Sequence, residues 1–153
     1  EIRRYEPVIQ ARTLIDHEGQ TTSGFRTLAN YIFGGNDREQ SIAMTAPVEE
    51  VLAETNAYMA FTMPSEYSLE ELPGPLDSQV TLHPVPSRTM AVVRFSGWAR
   101  GPVVREKTAL LFATLEGSGW LPAGTPSLNQ YNPPRTPQLS RRNEVMVEVR
   151  QKE

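Results

Sequence analysis

Apolar residues recur along the chain at two spacings, and these predict two helices among several strands. A stripe with helical spacing follows the N-cap candidates at 21–23 and ends at Gly34 and Gly35. A second stripe begins after Pro102, which suits the first turn of a helix, and ends at Gly117. The members of the two stripes are Phe25, Leu28, Ala29 and Ile32, and then Val104, Thr108, Leu111, Phe112 and Leu115.

Alternating apolar and polar residues predict strands before and after each helix. The clearest case is 143–149, where three valines alternate with Glu144, Met146 and Glu148. A Glu-rich segment after Val48 is predicted as a connection rather than a strand. The predicted strands are 2–15 (broken near Pro7), 41–48, 57–63, 80–83, 89–95, 127–132 and 143–149.

The order of these elements is the same in the two parts of the chain: strand, helix, strand, strand. Residues 64–79 are dense in proline and glycine and predict the connection between the two parts. Each part is small for an independent core, so the sequence predicts one domain over residues 1–153, with repeat halves at about 1–64 and 78–150. The fold class is α+β, with two helices on curved antiparallel sheets.

Composition narrows the classes of function. The chain has 153 residues and a net charge of -3, which argues against a nucleic-acid partner or an anionic membrane surface. No apolar run is long enough to cross a bilayer, so a soluble chain is expected. The absence of cysteine excludes disulfides and thiolate sites. The compartment stays open, cytoplasmic or exported after loss of a leader, because the chain begins at Glu1 rather than Met.

No group of residues resembles a self-sufficient catalytic centre. The two histidines, His17 and His83, lack the spacing of a metal site, and no nucleophile motif or phosphate loop occurs. Glu144, preceded by Arg141 and Arg142, has two interpretations: an ion pair on an edge strand, or an acid at the mouth of a cleft. One carboxylate without a partner base favours a binding domain over an enzyme, with no catalytic residues and no metal ligands.

The loop 131–142 has a composition that suits ligand binding. It holds Tyr131, three prolines and three arginines, among them Arg135. Prolines reduce the entropy lost when a loop is ordered, and arginine both stacks on flat groups and pairs with carboxylates. Two interpretations stay open: a rigid loop that seals the end of a sheet, or one wall of a site for a flat anionic ligand.

Several blocks taken together resemble the SOUL haem-binding protein family. They are EIRRYEP at 1–7, GFRTLANYIFGGN at 24–36, IAMTAPV at 42–48, FTMPS at 61–65, FSG at 95–97, and the run from YNPP at 131–134 to RRNEV at 141–145. The resemblance implies a distorted β-barrel of two pseudo-symmetric β-α-β-β repeats, with both helices packed outside. It also implies that the domain binds haem or free protoporphyrin non-covalently, as a carrier or buffer.

The implied binding site is a shallow apolar groove between the first helix and the loop before the last strand. By position in the family blocks, the helix supplies Thr22, Phe25, Ala29 and Asn30, and the loop supplies Arg135 and Thr136. On chemical grounds we add Arg26 and Tyr131 as neighbours of the ligand. Apolar contact over roughly 200 Å² is worth about 5 kcal/mol, which predicts micromolar affinity once ordering costs are subtracted.

One departure from the family affects iron binding. Some relatives carry a histidine in the first block, proposed as an axial ligand, where this chain has Arg4, which has no lone pair to donate. The sequence therefore predicts a tetrapyrrole held without strong axial ligation. An alternative is a small-molecule binding or hydrolytic domain like the GyrI-like effector-binding domains, with Glu144 as the acid of the cleft. A protein-interaction domain is a third reading that the sequence leaves open.

Overall fold

The computed structural model describes residues 1–16 and 21–153, which form one curled antiparallel sheet with two helices. His17 lies outside the described residues. The elements are β1 (Ile2–Tyr5), β2 (Val8–Leu14), α1 (Thr21–Ile32), β3 (Val48–Val51), β4 (Tyr58–Thr62), β5 (Thr81–Val85), β6 (Arg88–Phe95), α2 (Gly101–Leu115), β7 (Trp120–Pro122), β8 (Ser127–Gln130) and β9 (Asn143–Gln151). A short 3-10 helix, Gln138–Ser140, precedes β9.

The sheet has an internal two-fold pattern. Its order is β1-β6-β9-β8-β3-β4-β2-β5, and β7 pairs with β9. In the two repeats β1 corresponds to β5, β2 to β6, β3 to β8 and β4 to β9. When corresponding strands are exchanged, the order reads the same from the opposite end of the sheet. The first strand of each repeat pairs with the second strand of the other, as Ile2 with Ala91 and Leu82 with Ala11. The predicted α+β fold of two pseudo-symmetric repeats is confirmed.

The registers locate the axis of this pattern. Glu50 on β3 faces Leu128 on β8. Exchanging the two repeats moves each residue of this pair onto the position of the other, so the axis passes through the pair. Strands β3 and β8 therefore form the junction between the repeats, in the middle of the sheet. The bounds of the repeat halves, about 1–64 and 78–150, stay a prediction.

Both helices pack on the same face of the sheet, because period-two alternation directs one set of side chains towards them. Leu28 and Ile32 of α1 pack with Phe61 of β4, and Leu111 of α2 packs with Val147 of β9. Gly24 permits the close approach of α1: a Cβ there would lie 2.8 Å from both Ile15 Cγ2 and Met59 Sδ. Each helix therefore packs on strands of its own repeat, and the junction of β3 and β8 lies between the two helices.

The sequence prediction was wrong for residues 41–48 and for the segment after them. Residues 42–47 are irregular, and the strand β3 begins at Val48. The irregular path is stabilised by the Ile42 N–H, which donates to the Ile32 carbonyl at 2.7 Å. Pro47 has no N–H to offer to a ladder. Strand β3 lies where a Glu-rich connection was predicted, because its glutamates are buried rather than solvated. Strand β7 was also missed.

Candidate ligand-binding groove

A cavity of about 680 Å³ opens on the helix side of the sheet, between the start of α1 and the loop before β9. We call it the α1 groove. One wall is formed by α1 and by the irregular segment 44–46, and the other by residues 131–134 and Arg141. Its floor is formed by the central strands, with Val48, Glu50, Met59, Leu128 and Gln130. The lining is mainly apolar, and it joins the first helix to the Pro/Arg loop.

A second, smaller cavity lies beneath α2 and is the pseudo-symmetric counterpart of the first. Its volume is about 440 Å³, and its lining includes Val104, Thr108 and Phe112 of α2. Glu50 and Leu128, the pair at the junction of the repeats, line both cavities. The two cavities therefore meet at the centre of the sheet, where a largely buried carboxylate contributes to each.

Three of the predicted site residues line the α1 groove: Thr22, Phe25 and Tyr131. Phe25 was expected on the buried stripe of α1, but its side chain is 40% exposed. Its ring contacts Phe61 edge-on, with 5.3 Å between the ring centres. Phe25 thus presents an aromatic face to the groove while resting on the core.

The other predicted residues are placed around the groove rather than in its lining. Arg26 and Asn30 are exposed on α1, and Ala29 is half-buried one turn beyond Phe25. Arg135 is exposed and Thr136 half-buried at the far part of the loop. Their roles in binding stay predictions.

Glu144 lies on the other face of the sheet and lines neither of the two cavities. Its side chain is fully buried and accepts hydrogen bonds from three residues. Tyr131 donates its hydroxyl at 2.5 Å, Arg3 Nη1 lies 2.9 Å from Oε2, and Arg142 donates through both Nε and Nη2. This network joins β1, the loop and β9.

The environment of Glu144 fixes its charge. Burial would raise its pKa, but the hydrogen bonds from Tyr131, Arg142 and Arg3 outweigh burial and hold the pKa below its ordinary value of 4.5. Burial and the hydrogen bond to Glu144 raise the pKa of the Tyr131 hydroxyl. The pair is therefore a carboxylate with a neutral phenol at neutral pH. The first interpretation of Glu144 is right about the ion pair and wrong about the edge strand, because β9 lies inside the sheet between β6 and β8.

The loop that forms the outer wall is organised by Arg141, whose role the sequence did not single out. The Arg141 side chain is buried, and its Nη1 donates to the carbonyls of Pro133, Pro134 and Thr136 at 3.1–3.3 Å. Its guanidinium also stacks on Trp98, 4.7 Å from the ring centre. Three carbonyls and one aromatic ring hold this cation, so Arg141 shapes the wall of the groove.

Sequence reasoning also missed Met44 and Glu50 as groove residues. Met44 belongs to the IAMTAPV block, and it is 43% exposed at the mouth of the groove. Glu50 had no sequence signal, since adjacent glutamates are typical of a solvated surface. It is 7% exposed. Within the described ranges, no three His, Cys, Asp or Glu residues cluster as a metal site, and no helix is long and apolar enough to cross a membrane.

Sequence comparison matches the chain to a known family. The SOUL heme-binding protein family profile matches residues 1–148. Heme-binding protein 2 of Homo sapiens is 30% identical over 129 residues, and that of Mus musculus is 29% identical. Each match covers 78% of this chain and 62% of the relative. The chain therefore spans less than two thirds of the length of these curated relatives.

Structural comparison finds the same fold in more distant proteins. The C-terminal domain of EcmrR has a TM-score of 0.74 at 12% identity, covering 99% of this chain and 97% of that domain. A hydrolase from Listeria innocua has a TM-score of 0.61 at 11% identity, covering 98% and 92%. SAV2435 bound to tetraphenylphosphonium has a TM-score of 0.53 at 8% identity, covering 98% and 93%. At these identities the similarity shows the fold alone.

Proposed function

The chain belongs to the SOUL haem-binding protein family, and we propose that it binds haem or free protoporphyrin non-covalently in the α1 groove, as a carrier or buffer. The observation that supports the site most strongly is its position. The groove opens between α1 and the Pro/Arg loop and has a mainly apolar lining. The relatives named Heme-binding protein 2 support the class of ligand.

The size and lining of the groove fit a tetrapyrrole. A volume of about 680 Å³ falls within the range of small-molecule sites, roughly 300–1,000 Å³. Phe25 offers a ring for stacking, and Met44 and Val48 add apolar surface. A flat ligand that covers roughly 200 Å² of this surface gains about 5 kcal/mol before ordering costs are subtracted. We therefore expect micromolar affinity.

Charge sets the orientation of the ligand. The lining of the groove is mainly apolar, so the ionised propionates of a porphyrin would lose their hydration in its interior. Arg135 and Arg26 are exposed near its two walls and can pair with those carboxylates in solvent. The macrocycle would thus enter with its apolar edge first and leave its acids at the rim.

A titration tests this function. Protoporphyrin IX added to the protein should saturate at one molecule per chain, with a shifted Soret band. Arg135→Glu should weaken binding by reversing the charge at the rim, whereas Arg150→Glu, an exposed change on β9 outside the groove lining, should leave it unchanged. A Soret band identical to that of protoporphyrin IX in buffer without the protein would contradict the proposal.

The family and the site favour a binding role over an enzymatic one. The hydrolytic alternative relied on Glu144, whose carboxylate accepts hydrogen bonds from three residues on the face away from the groove. A general base must reach the proton that it abstracts, and Glu144 does not line the groove. Ester hydrolysis that is lost in Glu144→Gln, with folding intact, would restore this alternative.

A second candidate function is the binding of a lipophilic cation, and the observation that favours it is Glu50. Glu50 is 7% exposed and lines both cavities, so an acidic side chain and apolar surface border the same space. SAV2435, which shares the fold, was solved bound to tetraphenylphosphonium. Tetraphenylphosphonium that binds the wild type and is lost in Glu50→Gln, with no saturable porphyrin binding, would favour this function.

A further inference from the structure

Four described residues of the α1 groove carry an atom that can ligate iron. They are Met44, Glu50, Met59 and Tyr131. A thioether sulfur, a carboxylate and a phenolate are all known ligands of haem iron or related centres. The geometry separates these four candidates by their access to a flat ligand in the groove.

Met59 and Tyr131 are directed into other contacts. Met59 is 3% exposed and packs beneath α1, where its Sδ would lie 2.8 Å from a Cβ at Gly24. The Tyr131 hydroxyl donates to Glu144 on the other face of the sheet, and its ring lies 4.2 Å beneath the Arg142 guanidinium. Neither atom is presented to a ligand that enters the groove.

Glu50 and Met44 differ in depth. Glu50 is 7% exposed and lies at the floor, where the two cavities meet. Met44 is 43% exposed and lies in the wall at the mouth. A macrocycle that rests on Phe25 borders the wall that holds Met44, because both residues line the α1 groove and both are exposed.

The backbone that carries Met44 is fixed on both sides. The Ile42 N–H donates to the Ile32 carbonyl at 2.7 Å, and Thr45 Oγ1 donates to the Thr62 carbonyl at 2.6 Å. These bonds join the segment to the end of α1 and to β4. The ordering cost of forming a bond to the ligand therefore falls mainly on the Met44 side chain and less on its backbone.

We propose that Met44 Sδ is an axial ligand of haem iron in the α1 groove, an inference that rests on the proposed function. The sulfur donates a lone pair to the iron and displaces a water molecule, and no proton or electron is transferred. A thioether is a soft ligand, so ferrous haem is favoured over ferric haem. The protein would thus distinguish haem from iron-free porphyrin without a histidine in its first block.

A thioether carries no ionisable proton, so the pH dependence of ligation distinguishes Met44 from a histidine or a carboxylate ligand. A histidine or a carboxylate must lose a proton to bind iron, so such ligation is lost as the pH falls through the pKa of the ligand. Ligation by Met44 is instead independent of pH wherever the protein stays folded. The other titratable groups that line the groove in the described structure are Glu50, Tyr131 and Arg141, and outside that part His17 is the rival to test.

The experiment compares ferrous haem with protoporphyrin IX in the wild type and in four variants. Met44→Leu keeps the apolar volume and removes the sulfur, and Met44→His supplies a ligand at the same position. His17→Ala removes the rival, and Leu76→Ala is a control at a side chain that is 70% exposed outside the groove lining. Absorption titrations give the affinities for the two tetrapyrroles, and magnetic circular dichroism reports the coordination of the iron.

The expected result is that the wild type binds ferrous haem more tightly than protoporphyrin IX at every pH at which it stays folded, and that Met44→Leu removes this difference. Protoporphyrin affinity stays unchanged in Met44→Leu, and Met44→His restores a tighter binding of haem that weakens as the pH falls. The assignment is overturned if the preference for haem survives in Met44→Leu, if His17→Ala abolishes it, or if the wild type binds haem and protoporphyrin equally. Absence of protoporphyrin binding overturns the proposed function as well, so the two failures are distinguishable.

Discussion

Glu50 and Leu128 face each other on β3 and β8, and both side chains line both cavities. One residue of this pair is acidic and the other apolar, so the side chains differ at the axis about which the backbone is pseudo-symmetric. Leu128 also packs in the α2 core with Val145 and Val147, whereas Met59, the β4 residue opposite Glu50, packs beneath α1. The junction therefore links the two cores and the two cavities.

Shortening Leu128 tests this link. Leu128 is 3% exposed, and Leu128→Ala should lower the free energy of unfolding by about 2–5 kcal/mol, the usual cost of such a core truncation. It should also enlarge the floor of the α1 groove and change the affinity for porphyrin. Leu110→Ala on the solvent side of α2, where the side chain is 49% exposed, is the matched control. Urea denaturation measures both, and equal losses would show that Leu128 is not a core residue.

Phe25 should contribute to binding rather than to folding. Phe25→Ala removes a ring that is 40% exposed in the groove, and we expect porphyrin affinity to fall by roughly tenfold, the effect of about 1.4 kcal/mol of lost stacking. Phe33→Ala, at a 65% exposed ring outside the lining, should leave the affinity unchanged. Fluorescence quenching of protoporphyrin measures both constants. A larger effect in Phe33→Ala would place the site elsewhere.

The network of Glu144 should make stability depend on pH in acid. The folded protein holds the pKa of Glu144 below 4.5, so the unfolded chain takes up this proton more readily. Its contribution to stability is therefore complete above pH 4.5 and is lost as the pH falls through the lower, folded pKa. Glu144→Gln should cost about 3 kcal/mol at neutral pH, since Arg3 and Arg142 lose their common partner.

The same variant should flatten the acid limb of the stability curve. Urea midpoints measured between neutral pH and acid give the slope for wild type and for Glu144→Gln. Glu106→Gln on the exposed surface of α2 is the matched control and should leave the slope nearly unchanged. An acid slope in Glu144→Gln as steep as that of the wild type would show that other carboxylates produce it.

Gly24 should be intolerant of even one methyl group. A Cβ at this position would lie 2.8 Å from Ile15 and Met59, so Gly24→Ala should force α1 away from β4. Overpacking of this kind costs about 1–3 kcal/mol, which exceeds the gain in helix propensity of about 1 kcal/mol. Ser23→Ala, at an exposed neighbour on the same helix, is the control. Thermal unfolding followed by circular dichroism measures the difference, and a higher midpoint for Gly24→Ala would contradict the close packing.

The elements that followed a clear periodicity were predicted well from the sequence. Strand β9 and the two helices lie where their patterns predicted them. Burial departs from the patterns in places: Glu144 and Met146 on the other face of β9 are buried as well, and Phe25 on α1 is exposed. Strand β3 was missed, since Glu49 and Glu50 have the composition of a surface while tertiary pairing buries them. Local composition cannot reveal that β8, far along the chain, pairs with β3.

The site shows the same division. The helix and loop that face each other were expected, and Thr22, Phe25 and Tyr131 line the groove. The sequence could not show which arginine of the loop turns inward. That choice depends on Trp98, which stacks on Arg141 from a distant turn. Similarly, Glu144 lies in an ion-pair network because β1 brings Arg3 to it from the other end of the chain.

The exchange of first strands between the repeats has a consequence for how the chain folds. Strand β1 pairs with β6, and β5 pairs with β2. The first strand of each half therefore has its partner in the other half of the sequence. The protein is the single-chain counterpart of a strand-swapped dimer. During synthesis β1 has no partner until β6 has been made, and such long-range pairing slows folding. Separate halves would be expected to recover the native sheet only by associating with each other.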